Sequence, residues 1–183
     1  MFAALREIPK NSLPQHPLHK GKVTKFTAEA VLSAPARHPE VTVTINYHES
    51  SIRVRFNEVD SYQVAWHGHY VAWMEYARNE LAGRFGVDAA QIAAAGYRAP
   101  VVALELTFLR PARFGEELKL RTTLVRNQSA TLEFICQIIG EDGKLSARGR
   151  TVHALTDADG VLQYTLPEPI AQRLDSLMGF LGV

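Results

Sequence analysis

Asp60 closes an alternating, strand-like run and stands seven positions before His67, where a helical pattern begins. A helix start presents backbone N–H groups that have no intrahelical partner. Such donors can hold the oxygen of a reacting carbonyl while a nearby carboxylate attacks it or activates water. The stretch 56–80 therefore holds the parts of an acyl-transfer site. Asp60 could simply cap the local turn or helix, the commonest use of an aspartate at such a position, although seven residues to His67 is too far for a capping box. Tyr62 and Trp66, aromatic residues on the same loop, either line an acyl pocket or anchor the loop.

Other chemistries fit the chain less well. His67 and His69 flank Gly68, and residues two apart in a helical turn point about 200° away from each other, so one ion cannot readily meet both rings. No cysteine cluster or His-Glu-x-x-His pattern supports a metal site, and the expectation is that there is none. Cys136, the single cysteine, alternates in phase with Leu132, Phe134 and Ile138 and reads as a core residue rather than a nucleophile. A Gly-x-Ser-x-Gly elbow is missing as well.

The elements that must position Asp60 follow from periodicity. Alternation over 41–47 and again over 52–56, with His48-Glu49-Ser50-Ser51 as the joint, predicts two half-buried strands. Tyr70, Trp73, Met74, Ala77, Leu81 and Phe85 recur at helical spacing as one apolar stripe, with Arg78, Asn79 and Glu80 mostly off it and Gly86 as the stop. A short helix over 89–95 ends at Gly96. Strands follow over 101–109, 118–127, 131–139 and 145–156, and Pro169 opens a last helix whose face is Ile170, Leu174, Leu177, Met178 and Leu181. One long helix followed by consecutive antiparallel strands is an α+β order. A sheet covered by one helix leaves edges and apolar surface to hide, which predicts association.

At 183 residues and a formal net charge of +1, the chain has room for one core and no global field for nucleic acid or an anionic membrane. Five prolines between 8 and 40 predict an irregular arm over 1–40 ahead of a single domain over 41–183. A lone cysteine, no apolar run of spanning length and no signal-peptide hydrophobic region make a cytoplasmic protein the expectation.

Asp60, Val64, His67 and Tyr70 match the pattern Asp-x-x-Gly-Val-Val-x-His-x-x-Tyr, and the run Phe108-Leu109-Arg110-Pro111-Ala112-Arg113-Phe114-Gly115-Glu116-Glu117-Leu118 looks like a strand-to-strand connection of the same family. Both resemble the hotdog-fold acyl-CoA thioesterases of the 4-hydroxybenzoyl-CoA thioesterase type, over about residues 50–160. Gln63 stands where that family commonly has Gly, and Ala65 replaces its second Val. The resemblance implies an antiparallel sheet wrapped around one central helix. It also implies dimers, often paired into tetramers, with active sites at the interface.

It further implies Asp60 as nucleophile or general base and the backbone N–H of His67 as the donor that polarises the thioester carbonyl. Val64 and Tyr70 fall on motif positions and join Tyr62, Trp66 and Arg113 as substrate-binding candidates. Glu75 is the reserve acid, because another hotdog branch carries its carboxylate on this helix, although pairing with Arg78 explains it as well. No cofactor is implied, since coenzyme A enters with the substrate. Its phosphates need cations, for which Arg110, Arg113, Arg126, Arg148 and Arg150 are candidates by charge alone. The rival readings are hydrolysis of acyl carrier protein thioesters and a non-catalytic acyl-CoA-binding module. The hydratase motifs His-Phe-Pro-Gly and Asp-x-Asn-Pro-x-His do not occur.

Overall fold

A computed structural model describes residues 46–125 and 129–182. The expected arm over 1–40, the first five residues of the strand expected over 41–47 and Arg126 lie outside the described residues, and 46–47 are not strand. Five strands, β1 (His48–Arg53), β3 (Val101–Phe108), β4 (Glu117–Val125), β5 (Thr131–Ile139) and β6 (Leu145–Ala154), form one antiparallel sheet in the order β1-β4-β5-β6-β3. Two-residue strands β2 (Tyr97–Arg98) and β7 (Thr156–Asp157) pair beside it.

Helix α1 (His67–Arg84) lies against one face of this sheet, the hotdog arrangement. Its apolar stripe buries Tyr70, Trp73, Met74, Ala77 and Leu81 at 4% exposure or less, each contributing up to about 3 kcal/mol of burial. Facing them are Leu118 and Leu120 from β4, Cys136 and Ile138 from β5 and Ala147 from β6, the alternate residues of each strand. Gly149 of β6 allows the helix to come this close, because a Cβ there would stand 2.4 Å from Met74 Sδ. Burial pushes the Cys136 thiol up to about 12, so it is an inert core residue.

Helix α2 (Ala89–Ala94) starts at a reciprocal cap, in which Asp88 Oδ1 accepts the N–H of Gln91 at 2.8 Å and Gln91 Oε1 accepts that of Asp88 at 3.1 Å. Helix α3 (Glu168–Leu181) buries the expected face of Ile170, Leu174, Leu177, Met178 and Leu181 against Leu81, Leu124, Leu132 and Phe134. Its first helical position is Glu168, and Pro169 takes the second.

Two expectations are corrected. A single strand, β1, runs through 48–51, where a joint was expected, and Phe56–Glu58 is a turn of 3-10 helix. The polar residues of β1 fit a strand because Glu49 meets Arg121 at 2.8 Å and Lys119 at 3.8 Å on the neighbouring β4. Arg78 is 7% exposed rather than off the buried side, its guanidinium paired with Glu75 and lying over the ring of Phe134 at 5.9 Å.

Candidate active site

The chain leaves β1 at Val54, which exchanges backbone hydrogen bonds with Gly115 and Glu116, both 2.9 Å. The 3-10 turn then buries the Glu58 carboxylate. Its oxygens accept the N–H of Arg55 at 2.7 Å and the indole N–H of Trp73 at 3.2 Å, while the Glu58 carbonyl accepts the N–H of Trp66 at 2.8 Å. A buried carboxylate needs such donors. Glu58 thereby fastens the segment ahead of Asp60 to α1, a role that sequence reasoning missed because its partner Trp73 lies fifteen residues on.

Asp60 begins a tight hairpin. Its N–H donates to the Val64 carbonyl at 2.9 Å and its carbonyl accepts the N–H of Gln63 at 3.0 Å, the pattern of a three-residue loop closed by a left-handed residue. That residue is Gln63, at φ 61°. A glycine fits this conformation without strain, which accounts for the glycine at the matching motif position. Asp60 Oδ1 accepts the N–H of Tyr62 at 2.8 Å, so one carboxylate oxygen is held by the loop itself.

Val64 bridges to Arg113 and Ala65 donates to the Ala112 carbonyl at 2.9 Å, which seats the returning arm of the hairpin on the connection between β3 and β4. The chain then enters α1. His67 and Gly68, its first two residues, have N–H groups with no carbonyl four positions back inside the helix. The Trp66 indole covers this start so closely that a Cβ on Gly68 would fall 2.0 Å from the ring. The rings of His67 and His69 lie 4.7 Å and 5.6 Å from that of Trp66. Among the described residues no group of three or more His, Cys, Asp or Glu side chains could hold a metal ion.

Asp60, Val64, Ala65, His67 and Tyr70 line one cleft of about 380 Å³, closed on the other side by Phe108, Leu109, Arg110 and Pro111. Tyr70 is buried, with its ring edge-on to Phe108 at 5.1 Å. Its hydroxyl accepts the N–H of Ala112 at 2.9 Å, and burial raises its pKa. The cleft thus combines one carboxylate, one helix start and apolar walls.

The remaining candidates lie elsewhere. Tyr62, 83% exposed at the tip of the hairpin, does not line the cleft, and neither does Trp66. Glu75 is likewise outside it, engaged by Arg78 and by Asn79. Arg113 lines a neighbouring cleft of about 650 Å³ that shares Arg110 and Pro111 with the first. Arg110 Nη1 bonds Asp142 Oδ2 at 2.7 Å. Arg150 pairs with Glu133 at 2.5 Å and Glu105 at 3.2 Å on the sheet face away from α1, and Arg148 shares that face.

The family model of the thioesterase-like superfamily matches residues 54–174, a span that includes both clefts and all of α1. The chain belongs to the thioesterase-like superfamily. Among relatives of this thioesterase, the protein named "Putative esterase sll0410" of Synechocystis sp. is 33% identical over 134 residues, covering 72% of this chain and 81% of its own. The crystal structure of the hypothetical protein TT1821 from Thermus thermophilus superposes with a TM-score of 0.64 at 36% identity, over 70% of this chain and 98% of that one. A DHNA-CoA thioesterase from Staphylococcus aureus shares the fold at 21% identity and a TM-score of 0.66, over 73% and 91% of the two chains. The protein is thus an enzyme, a thioester hydrolase with a hotdog fold. No described helix is long and apolar enough to cross a membrane.

Proposed function

We propose that this thioesterase hydrolyses acyl-CoA to the free acid and coenzyme A, with Asp60 as the reacting carboxylate and the backbone N–H of His67 as oxyanion donor. The observation that carries the reading is the meeting of Asp60 and the start of α1 in one apolar-walled cleft. Val64, Phe108 and Leu109 offer the acyl group an apolar wall, and Tyr70 supports that wall from beneath.

Two routes use the same geometry. As nucleophile, a carboxylate oxygen of Asp60 forms a bond to the thioester carbon, the C–S bond breaks, and the thiolate leaves and takes a proton. Water then cleaves the resulting mixed anhydride. As general base, Asp60 accepts a proton from water while the water oxygen attacks the carbon, and the thiolate leaves as before. In either route the carbonyl oxygen gains negative charge, which a preorganised N–H stabilises. Neither route calls on a metal or redox cofactor.

We also place the working enzyme as a homodimer or a dimer of dimers. β3 is an edge strand, and Val101, Val102, Leu104, Phe108 and Leu109 on and beside it are all at least 42% exposed. Phe108 and Leu109 also form a cleft wall, so a second copy on this edge would close the substrate site.

The test is a panel of short, long and aromatic acyl-CoA thioesters followed with a thiol reagent. Release of thiol from at least one, unaffected by a chelator, is expected. Recovery of ¹⁸O in Asp60 after a single turnover in ¹⁸O-water would establish the nucleophilic route, with water opening the anhydride at the Asp60 carbonyl carbon. Tight binding of an acyl-CoA with no hydrolysis of any of them would overturn the proposal.

A further inference from the structure

We propose that Glu58 is a positioning residue for the reaction: its buried carboxylate fixes the separation between the Asp60 carboxylate and the backbone N–H of His67. This rests on the roles given to Asp60 and His67 above.

The hydrogen bonds around Glu58 form a frame common to both reacting groups. Its carbonyl accepts the N–H of Trp66, and from that bond the hairpin continues through the Val59–Ala65 bridge to the bond between Asp60 and Val64. Asp60 stands two residues beyond one end of the Glu58–Trp66 bond, and His67 stands one residue beyond the other. The two arms of the hairpin are secured differently. The returning arm, 64–65, rests on Ala112 and Arg113. The outgoing arm, 58–60, carries Asp60, and the Glu58 side chain ties it to α1. Oε1 takes the indole N–H of Trp73 on the second turn of α1, and Oε2 takes the N–H of Arg55 on the segment arriving from β1.

Glu58 is 9% exposed and Trp73 4%, so neither group can readily exchange its partner for water. A carboxylate suits this place because it offers one acceptor oxygen to each of two converging N–H donors, whereas an amide would turn its own NH₂ toward one of them. A tie that served stability alone would need no charge, since apolar packing of the same shape serves nearly as well. Donors converging from two elements on one buried side chain add distance and direction, which a reacting group two residues away requires. A displacement of about 1 Å at such a group costs about 10²-fold in rate.

The test is steady-state hydrolysis of acyl-CoA by Glu58→Gln, Trp73→Phe, Asp60→Asn and the double variant Asp60→Asn/Glu58→Gln, at a temperature where circular dichroism shows each folded. Glu58→Gln should lower kcat by about 10- to 100-fold with KM changed less than about twofold. Trp73→Phe, which deletes the donor from the other side, should lower kcat as well. In the Asp60→Asn background, Glu58→Gln should cost less than about twofold, since no carboxylate remains to be placed. A full additional loss there would assign Glu58 to stability alone and overturn the proposal, as would a loss that falls on KM. Should Glu58→Gln fail to fold, Trp73→Phe with and without Asp60→Asn makes the same comparison. An impaired Asp60→Asn beside a Glu58→Gln of wild-type kcat would sink this proposal alone. If no thioester is cleaved, or Asp60→Asn is as fast as wild type, the reading of Asp60 fails and this proposal falls with it.

Discussion

The hydroxyl of Tyr70 accepts the N–H of Ala112 at 2.9 Å, and this bond ties the first turn of α1 to the connection between β3 and β4, across the floor of the cleft. Ala112 is fully buried, so its N–H has no water to turn to. Tyr70→Phe keeps the ring and its contact with Phe108 but strands that donor. A loss of about 1–3 kcal/mol in unfolding free energy is expected from urea denaturation. An unchanged midpoint would show that the two elements are held together by packing alone.

Asp60→Asn keeps the size of the side chain and its bond to the Tyr62 N–H while removing the charge. Turnover should fall by about 10²- to 10⁴-fold with substrate binding retained. Glu75→Gln, outside the cleft and already engaged by Arg78, should cost less than about tenfold, or 1.4 kcal/mol of barrier. The reverse pattern in a thiol-release assay would move the reacting acid onto the helix.

Gln63 holds a left-handed φ of 61°, a conformation that costs a residue bearing a Cβ about 1–2 kcal/mol. Gln63→Gly removes that strain and adds about 0.4–1 kcal/mol of unfolded-state entropy, so a net gain of about 0.5–1 kcal/mol is expected. Thermal unfolding should report it as a rise of about 2 °C. A fall in Tm would mean that the Gln63 side chain contributes more than its backbone costs.

His153 supplies a pH dependence. It is 1% exposed, with Nδ1 donating to the Ala99 carbonyl at 3.0 Å and Nε2 3.3 Å from the Thr151 hydroxyl. Burial lowers its pKa from the ordinary 6.5; the Ala99 bond and Glu75 oppose the shift, and Arg78 adds to it. The folded state therefore resists a proton that the unfolded chain accepts. This contribution to stability is complete above the ordinary value and is lost as pH falls through 6.5 toward the lowered one. Urea unfolding across that window should be steeper in pH for wild type than for His153→Gln. Parallel curves would refute the assignment.

What was legible in the sequence is what repeats locally. The α1 stripe from Tyr70 to Leu81 and the alternation of Leu132, Phe134, Cys136 and Ile138 in β5 each carry their period on their face, and both elements lie where that period puts them. Asp60 and His67 were readable as neighbours of a helix start, and they share a cleft. β1 was misread because His48-Glu49-Ser50-Ser51 has turn composition, and only the cross-strand partners Arg121 and Lys119 make it a strand. Glu58 went unread, and the burial of Arg78 was missed, for the same reason. Burying a charge depends on Trp73 in one case and on Phe134 in the other, and such partners become visible only once the chain has folded.

The hairpin that carries Asp60 is shaped by main-chain hydrogen bonds and one left-handed residue, while Ser61 and Tyr62 stand exposed at its tip. Position of the acid and identity of the tip residues are therefore separable. Substitutions at positions 61 and 62 thus leave in place the main-chain frame that holds the Asp60 carboxylate at the cleft.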